Sequence, residues 1–200
     1  MTMTHNSLAA PLQAGPKVWD EYLATAAPVL GAMGEQVRSL VVELDEVRRS
    51  GATVYLAGNG GSASAASHLA QDLLKGTYTG SAPLRAVALT DNLSMLTAYA
   101  NDEGYDRVFV EPLSLMARPG DRLLAISCSG NSPNVVAAAR HAREAGLRVL
   151  AVTACDGGAM RELADVEVNT PTHDIGMAEA MHSMVFHFVT QCLRDSAAVR

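Results

Sequence analysis

The sequence is poor in aromatic residues: one Trp, five Tyr and three Phe make up 4% of 200 residues, of which 48% are hydrophobic. Ala, Val and Leu must therefore build the core, at a length that suits one domain of ordinary size. Basic residues are outnumbered, with 15 Lys and Arg against 21 Asp and Glu and a net charge of −6. Nucleic-acid backbones and anionic membrane surfaces both require clustered cations, so neither is expected as a partner. No apolar run approaches the roughly eighteen residues of a membrane-spanning helix. The opening Met1-Thr-Met-Thr-His5 has no basic stretch leading into an apolar one, so no signal peptide is expected. Cysteine is also scarce. Cys128, Cys155 and Cys192 are odd in number, at spacings that fit neither a disulfide framework nor a zinc knuckle. Reduced thiols in a cytoplasmic protein are the resulting expectation, and no basic neighbour lowers the pKa of Cys128.

What is present is periodicity. Residues 1–16 carry Pro11, Gly15 and Pro16 without a repeat and are expected to form a flexible arm, with a single domain over 17–196. From Trp19 to Val47 apolar residues recur at three- and four-residue steps, which predicts one long amphipathic helix or a pair, with Pro28 at a kink or break. That stripe can pack into the core or against another subunit. After Ser50-Gly51 short apolar runs take over, at 53–57, 85–89, 122–127, 148–153 and 166–168. Between them lie helical stretches at 63–75, 92–100, 105–116 and from Ser132 to about Ala145, and a last helix covers about 176–193. Buried strands alternating with helices give an α/β fold, a parallel sheet covered on both faces.

Two loops sit where such a sheet binds ligands, beyond the carboxyl ends of its strands. Gly58-Asn59-Gly60-Gly61-Ser62 joins a strand to a helix: glycines admit a close ligand, and the helix start offers N–H groups with partial positive charge. Ser127-Cys128-Ser129-Gly130-Asn131-Ser132 repeats the arrangement with three hydroxyls, a neutral cup for an anion. Ser132 before Pro133 is also a standard N-cap, but capping alone calls for neither Ser127 nor Ser129. Residues 58–63 also match the loose G-x-G-x-x-A dinucleotide fingerprint, with Asp91 as a strained candidate for its acid. A phosphomonoester accounts for both loops; a dinucleotide accounts for one.

His68 and Asp72 stand four apart on the helix after the first loop, on one face. Such a pair can be a metal half-site, an acid/base pair or a surface contact. The last helix carries Glu179, His182 and His187 in an apolar run. Glu179 and His187 are about 80° apart around the axis and about 12 Å along it, so they converge only if their side chains lean together. His182 lies about 140° from His187, which points to a structural or exposed role. His5, His141 and His173 carry no assignment.

Gly58-Asn-Gly-Gly-Ser62, Ser127-x-Ser-Gly-x-Ser132, Asp156-Gly-Gly158 and Glu179-x-x-His182-x-x-x-x-His187 together resemble the sugar isomerase (SIS) domain. Leu89-Thr-Asp-Asn92 and Ala100-Asn-Asp-Glu-Gly-Tyr105 narrow the resemblance to the phosphoheptose isomerases, over about residues 18–194. It implies a three-layer αβα sandwich with a five-stranded parallel sheet, a homotetramer with sites at subunit contacts, and a phosphorylated seven-carbon sugar as substrate. Ser62, Ser127, Ser129 and Ser132 would hold the phosphate, Asn59, Gly60, Gly61, Asp102 and Glu179 would contact substrate, and Asp72 and His187 would be catalytic. Zinc in some members implies His68, Asp72, Glu179 and His187 as ligands. Here Asp72 stands for the family's glutamate and Glu179 for its glutamine, both still competent zinc ligands. The basic residue that the family places after its glutamate has Lys75 as its nearest counterpart. Two rivals remain: a non-catalytic SIS-domain adaptor like the replication-initiator-associating proteins, and, more distantly, a nicotinamide-dependent oxidoreductase.

Overall fold

The computed structural model describes residues 16–80 and 83–198. The arm expected over 1–16 therefore lies outside the described residues, apart from Pro16. Two helices open the chain, α1 (Pro16–Ala32) and α2 (Gly34–Ser50). The break between them falls at Met33; Pro28, the expected site of a kink or break, lies inside α1 and does not end it. Gly31 and Gly34, both weak helix formers, flank the break. Met33 is 1% exposed and its sulfur accepts from Thr170 Oγ1 at 3.7 Å, so tertiary packing fixes the turn there. The apolar stripe divides accordingly. Val37, Leu40, Leu44 and Val47 of α2 enter the core, while Trp19, Tyr22 and Leu23 of α1 remain exposed, with Trp19 stacked on Tyr22.

Five strands follow: β1 (Thr53–Gly58), β2 (Arg85–Ala88), β3 (Arg122–Ser127), β4 (Arg148–Ala154) and β5 (Val166–Thr170). All pair in parallel, in the order β2-β1-β3-β4-β5. Every residue of β1 and β3 is buried, as continuous apolar runs in a doubly covered sheet require. The covering helices are α3 (Gly61–Gln71), α4 (Leu93–Asp102), α5 (Val110–Met116), α6 (Pro133–Glu144), the one-turn α7 (Met160–Leu163) and α8 (Ile175–Ala198). One face packs α2, α3 and α8 against Val54, Leu56, Leu124 and Leu150. The other packs α5 and α6 against Tyr55, Leu123, Ala125 and Val149, with Phe109 buried among them. Alternate residues of each strand supply the two faces, which gives the three-layer αβα sandwich.

The amino-terminal edge of the sheet is pinned by charge. Asp121 accepts from the Thr53 and Arg118 backbone N–H groups at 2.8 and 2.9 Å, and Glu43 reaches Arg122 at 3.2 Å and Arg148 at 2.9 Å. These anchors leave the carboxyl edge to the loops. The contrast within α2 tests the packing: Leu44→Ala should lower stability by about 2–5 kcal/mol, whereas Val42→Ala, at an exposed site, should stay within about 0.5 kcal/mol. Urea unfolding of both variants measures the difference, and equal losses would contradict this assignment of faces.

Candidate active site

β1 and β3 are neighbours whose connections leave on opposite faces, β1 into α3 and β3 into α6. A crevice opens between strands arranged in this way, and both candidate loops flank it. Gly58 is required by a close approach, because a Cβ there would meet the Ser62 carbonyl oxygen at 2.7 Å. Gly60 takes φ 54° and ψ −121°, a conformation open to glycine, and turns the chain into α3. A side chain at Gly61 would collide with the carboxylate of Glu179. That carboxylate thus occupies the space beside the α3 N-terminus, where the helix dipole favours negative charge.

In the second loop the Ser132 hydroxyl makes no cap to α6; it pairs instead with Ser127 Oγ at 3.1 Å. Ser129 is exposed, and its hydroxyl accepts from the Asn131 backbone N–H at 3.2 Å. Asp156-Gly-Gly158 braces this loop from behind. Gly130 (φ 62°) presses on the Gly157 carbonyl so closely that no Cβ fits, Asn131 Oδ1 accepts from Ala159 N at 2.9 Å, and Met160 N donates to Gly130 O at 3.0 Å. Cys128 is buried between the serines. Burial pushes its thiol above the ordinary range, and the Glu179 carboxylate pushes it further. Cys155 is raised by burial and then by Asp156. Neither is poised as a thiolate.

A cavity of about 410 Å³ lies between the start of α3 and α8, with Gly61, Ser62, His68, Glu179 and His182 in its wall. Beside it His68, Asp72 and His187 converge, each offering a ligand atom within 4.8 Å of the others. Asp72 Oδ2 stands 3.6 Å from His68 Nε2 and 3.4 Å from His187 Nδ1, and the two rings meet edge to face at 5.0 Å. Asp72 opens a five-residue π-helical turn, Asp72–Gly76, continuous with α3. Its own N–H is shared between the His68 and Leu69 carbonyls. Such wide turns recur at functional sites.

Glu179 is the member of the expected ligand set that stands apart, since its carboxylate lies against Gly61 rather than within the triad. Asp102 ends α4, exposed, and accepts from Asn101 Nδ2 at 2.7 Å; it does not line the cavity. Lys75 is exposed on the π turn. His182 is 1% exposed, and its Nε2–H donates to the Thr153 carbonyl at 3.0 Å, a structural use of the side chain. Sequence reasoning missed Asn134 and Tyr105, which both bind the Asn59 side chain.

The SIS domain family profile matches residues 21–154. The phosphoheptose isomerase of Mycobacterium tuberculosis is 44% identical over 157 residues, spanning 78% of this chain and 80% of that protein. That of Aliarcobacter butzleri is 39% identical over 176 residues, spanning 86% and 93%. The solved structure of phosphoheptose isomerase from Neisseria gonorrhoeae superposes with a TM-score of 0.81 at 30% identity, covering 90% of this chain and 98% of that one.

Burial holds the His182 imidazole below its ordinary pKa, despite the raising effect of its bond to Thr153. The unfolded chain takes up a proton near pH 6.5 that the folded chain refuses, so this contribution is complete above that pH and fades as pH falls below it. His182→Gln, which retains an N–H donor but does not titrate, should flatten the fall of Tm between about pH 7 and 5. Melting curves across that range would reject the assignment if the slope equals that of the parent.

Proposed function

The chain belongs to the SIS domain family, among the phosphoheptose isomerases, and on that premise we propose that it isomerises D-sedoheptulose 7-phosphate to D-glycero-D-manno-heptopyranose 7-phosphate for heptose biosynthesis. The observation that carries this reading is the convergence of His68, Asp72 and His187 beside a cavity whose wall includes Gly61 and Ser62. An adaptor has no use for such a triad, and a dinucleotide leaves the serine loop without a purpose.

The isomerisation moves a proton between C1 and C2 of the open-chain sugar through an enediol. In this reading the N–H groups and hydroxyls of Ser62, Ser127, Ser129 and Ser132 hold the phosphate, with the backbone of Gly60 and Gly61 contacting the substrate beside them. Asn59, Asp102 and Glu179 contact the sugar. Asp72 removes the proton from C1 and returns it to C2, while His187 gives a proton to O2 and takes the one from O1. The two roles need groups within reach of neighbouring atoms, and the 3.4 Å between Asp72 Oδ2 and His187 Nδ1 satisfies that need.

The donor set also fits zinc. Ligands about 2.0–2.2 Å from a tetrahedral ion lie about 3.3–3.6 Å from each other, and the His68–Asp72 and His187–Asp72 contacts measure 3.6 and 3.4 Å. His68, Asp72 and His187 would hold the ion, with Glu179 as the fourth ligand after leaving Gly61, and the proton transfers would then fall to Asp72 Oδ1 and His187 Nε2. When bound, the metal supplies Lewis-acid polarisation of the sugar oxygens.

We further propose a homotetramer acting in the cytoplasm. An apolar groove of about 470 Å³ between α2 and α8 is lined by Met33, Val37, Met184 and Phe188, and the last two are 57% and 55% exposed. His187 lies beside them on α8, so a second copy covering this face would also exclude water from the triad. Three free cysteines accord with a reducing compartment.

The principal test is incubation with sedoheptulose 7-phosphate followed by NMR of the products. Heptopyranose signals are expected, and Asp72→Asn should lower kcat by roughly 10²–10⁴-fold. A chain without turnover, or a variant with full turnover, would overturn the activity or the base assignment respectively. Elemental analysis after purification should find zinc in the parent and lose it in His68→Ala. Phe188→Asp should shift light-scattering mass from four chains toward fewer, and an unchanged mass would remove this face from the assembly.

A further inference from the structure

Asn59 and Asn134 are 75 residues apart and exchange two hydrogen bonds across the crevice: Asn59 Nδ2 donates to Asn134 Oδ1 at 2.8 Å, and Asn134 Nδ2 donates to Asn59 Oδ1 at 2.9 Å. Asn134 is 2% exposed, the second residue of α6, so its amide can turn only at the cost of a buried polar mismatch. One partner fixes the sense of the whole arrangement. The Val135 backbone N–H can only donate, and it lies 3.0 Å from Asn134 Oδ1. The atom facing it must therefore be oxygen. It follows that Asn59 presents nitrogen to that oxygen and its own oxygen to Asn134 Nδ2.

A third group completes the count. Tyr105 OH donates to Asn59 Oδ1 at 3.0 Å. The two lone pairs of that oxygen are then both engaged, and one of the two Nδ2 hydrogens is committed to Asn134. What Asn59 has left is a single N–H.

We infer that Asn134 and Tyr105 are positioning residues that hold Asn59 as an obligatory hydrogen-bond donor toward an oxygen of the sugar phosphate. The inference rests on the functional reading above, which brings Asn59 near the sugar, and deepens it by assigning the polarity of the contact and the side chains that enforce it. A freely rotating asparagine satisfies a hydroxyl either way. A locked one selects an acceptor oxygen, such as the sugar carbonyl or its enediolate, and spends no rotamer freedom when the ligand arrives. It also ties the first loop to the start of α6, so the two halves of the anion cup keep a fixed separation.

A double-mutant cycle with the full chain tests this. Tyr105→Phe, at a residue 54% exposed where folding is not at risk, should lower kcat/KM by about 3–10-fold, the loss of one hydrogen bond. In an Asn59→Ala background the same change should cost nothing further, because Tyr105 then has nothing to position. Equal losses in both backgrounds overturn the inference. Asn134→Asp should reproduce the Asn59→Ala loss; if that buried substitution fails to fold, the Tyr105 cycle alone decides.

The lock is also readable without turnover. In ¹H–¹⁵N spectra of the free chain, one Asn59 side-chain proton should exchange slowly and the other fast, and Tyr105→Phe should shift both. Sedoheptulose 7-phosphate should then move the fast proton more than the slow one. Two equivalent fast protons, or a shift confined to the bonded one, would overturn the inference even in an active enzyme. Absence of isomerisation would instead overturn the functional reading, and the free-chain spectrum would still decide whether the lock exists.

Discussion

β1 and β3 pair in register from Val54 with Arg122 to Gly58 with Ile126, and each is followed by a helix on the opposite face from the other. That single pairing sets the spacing of everything at the carboxyl edge. It brings a glycine loop and a serine loop side by side, each leading into the start of a helix at one crevice. It also lets Asn59 meet Asn134 across the gap. The cost of keeping these loops open is met by the glycines, whose absent side chains leave room for the Glu179 carboxylate and the Gly157 carbonyl.

The second element of the site comes from one face of the sandwich. α3 and α8 pack together over the sheet, and their touching surfaces carry His68, Asp72 and His187. The π turn at Asp72 lies where α3 runs alongside α8, near Thr190, whose methyl stands 3.3 Å from where a Cβ on Gly76 would be. Lengthening the turn at this point alters which residues of the segment face α8. The catalytic candidates are therefore held by core packing beneath them, from Leu69, Leu73, Val185, Phe186 and Val189, rather than by a dedicated polar scaffold.

Strands were readable in the sequence because central parallel strands are unbroken apolar runs between turn residues; β3 at Arg122–Ser127 has the bounds its run predicted. The helix break was not, since Pro28 was the strongest local signal and the decisive feature was the burial of Met33 against Thr170. Helix α7, a single turn, carries too few residues to show a period. At the site, the i, i+4 spacing of His68 and Asp72 put both on one face, but their meeting with His187 depends on how α3 crosses α8. The contacts of Asn134 and Tyr105 with Asn59 were not legible: they span 75 and 46 positions, Tyr105 stood only as the end of a matching stretch, and an asparagine after Ser-Pro at a helix start reads as ordinary capping chemistry. The position of Glu179 over Gly61 was equally hidden, because it follows from the rotation of α8 about its axis.

The serine loop has one further property. Between Ser127 and Ser132 the only ionisable side chain is Cys128, and its surroundings keep it protonated well past neutrality; the Gly58–Ser62 loop has none. A cup made of hydroxyls, amides and helix ends offers the same donors in acid as in mild alkali, and it holds no counterions to be released on binding. Across the physiological range the ligand's own charge changes against these loops, the phosphate passing from one negative charge to two near pH 6. Within these two loops hydroxyl and amide dipoles, with no cationic side chain, would favour the dianion.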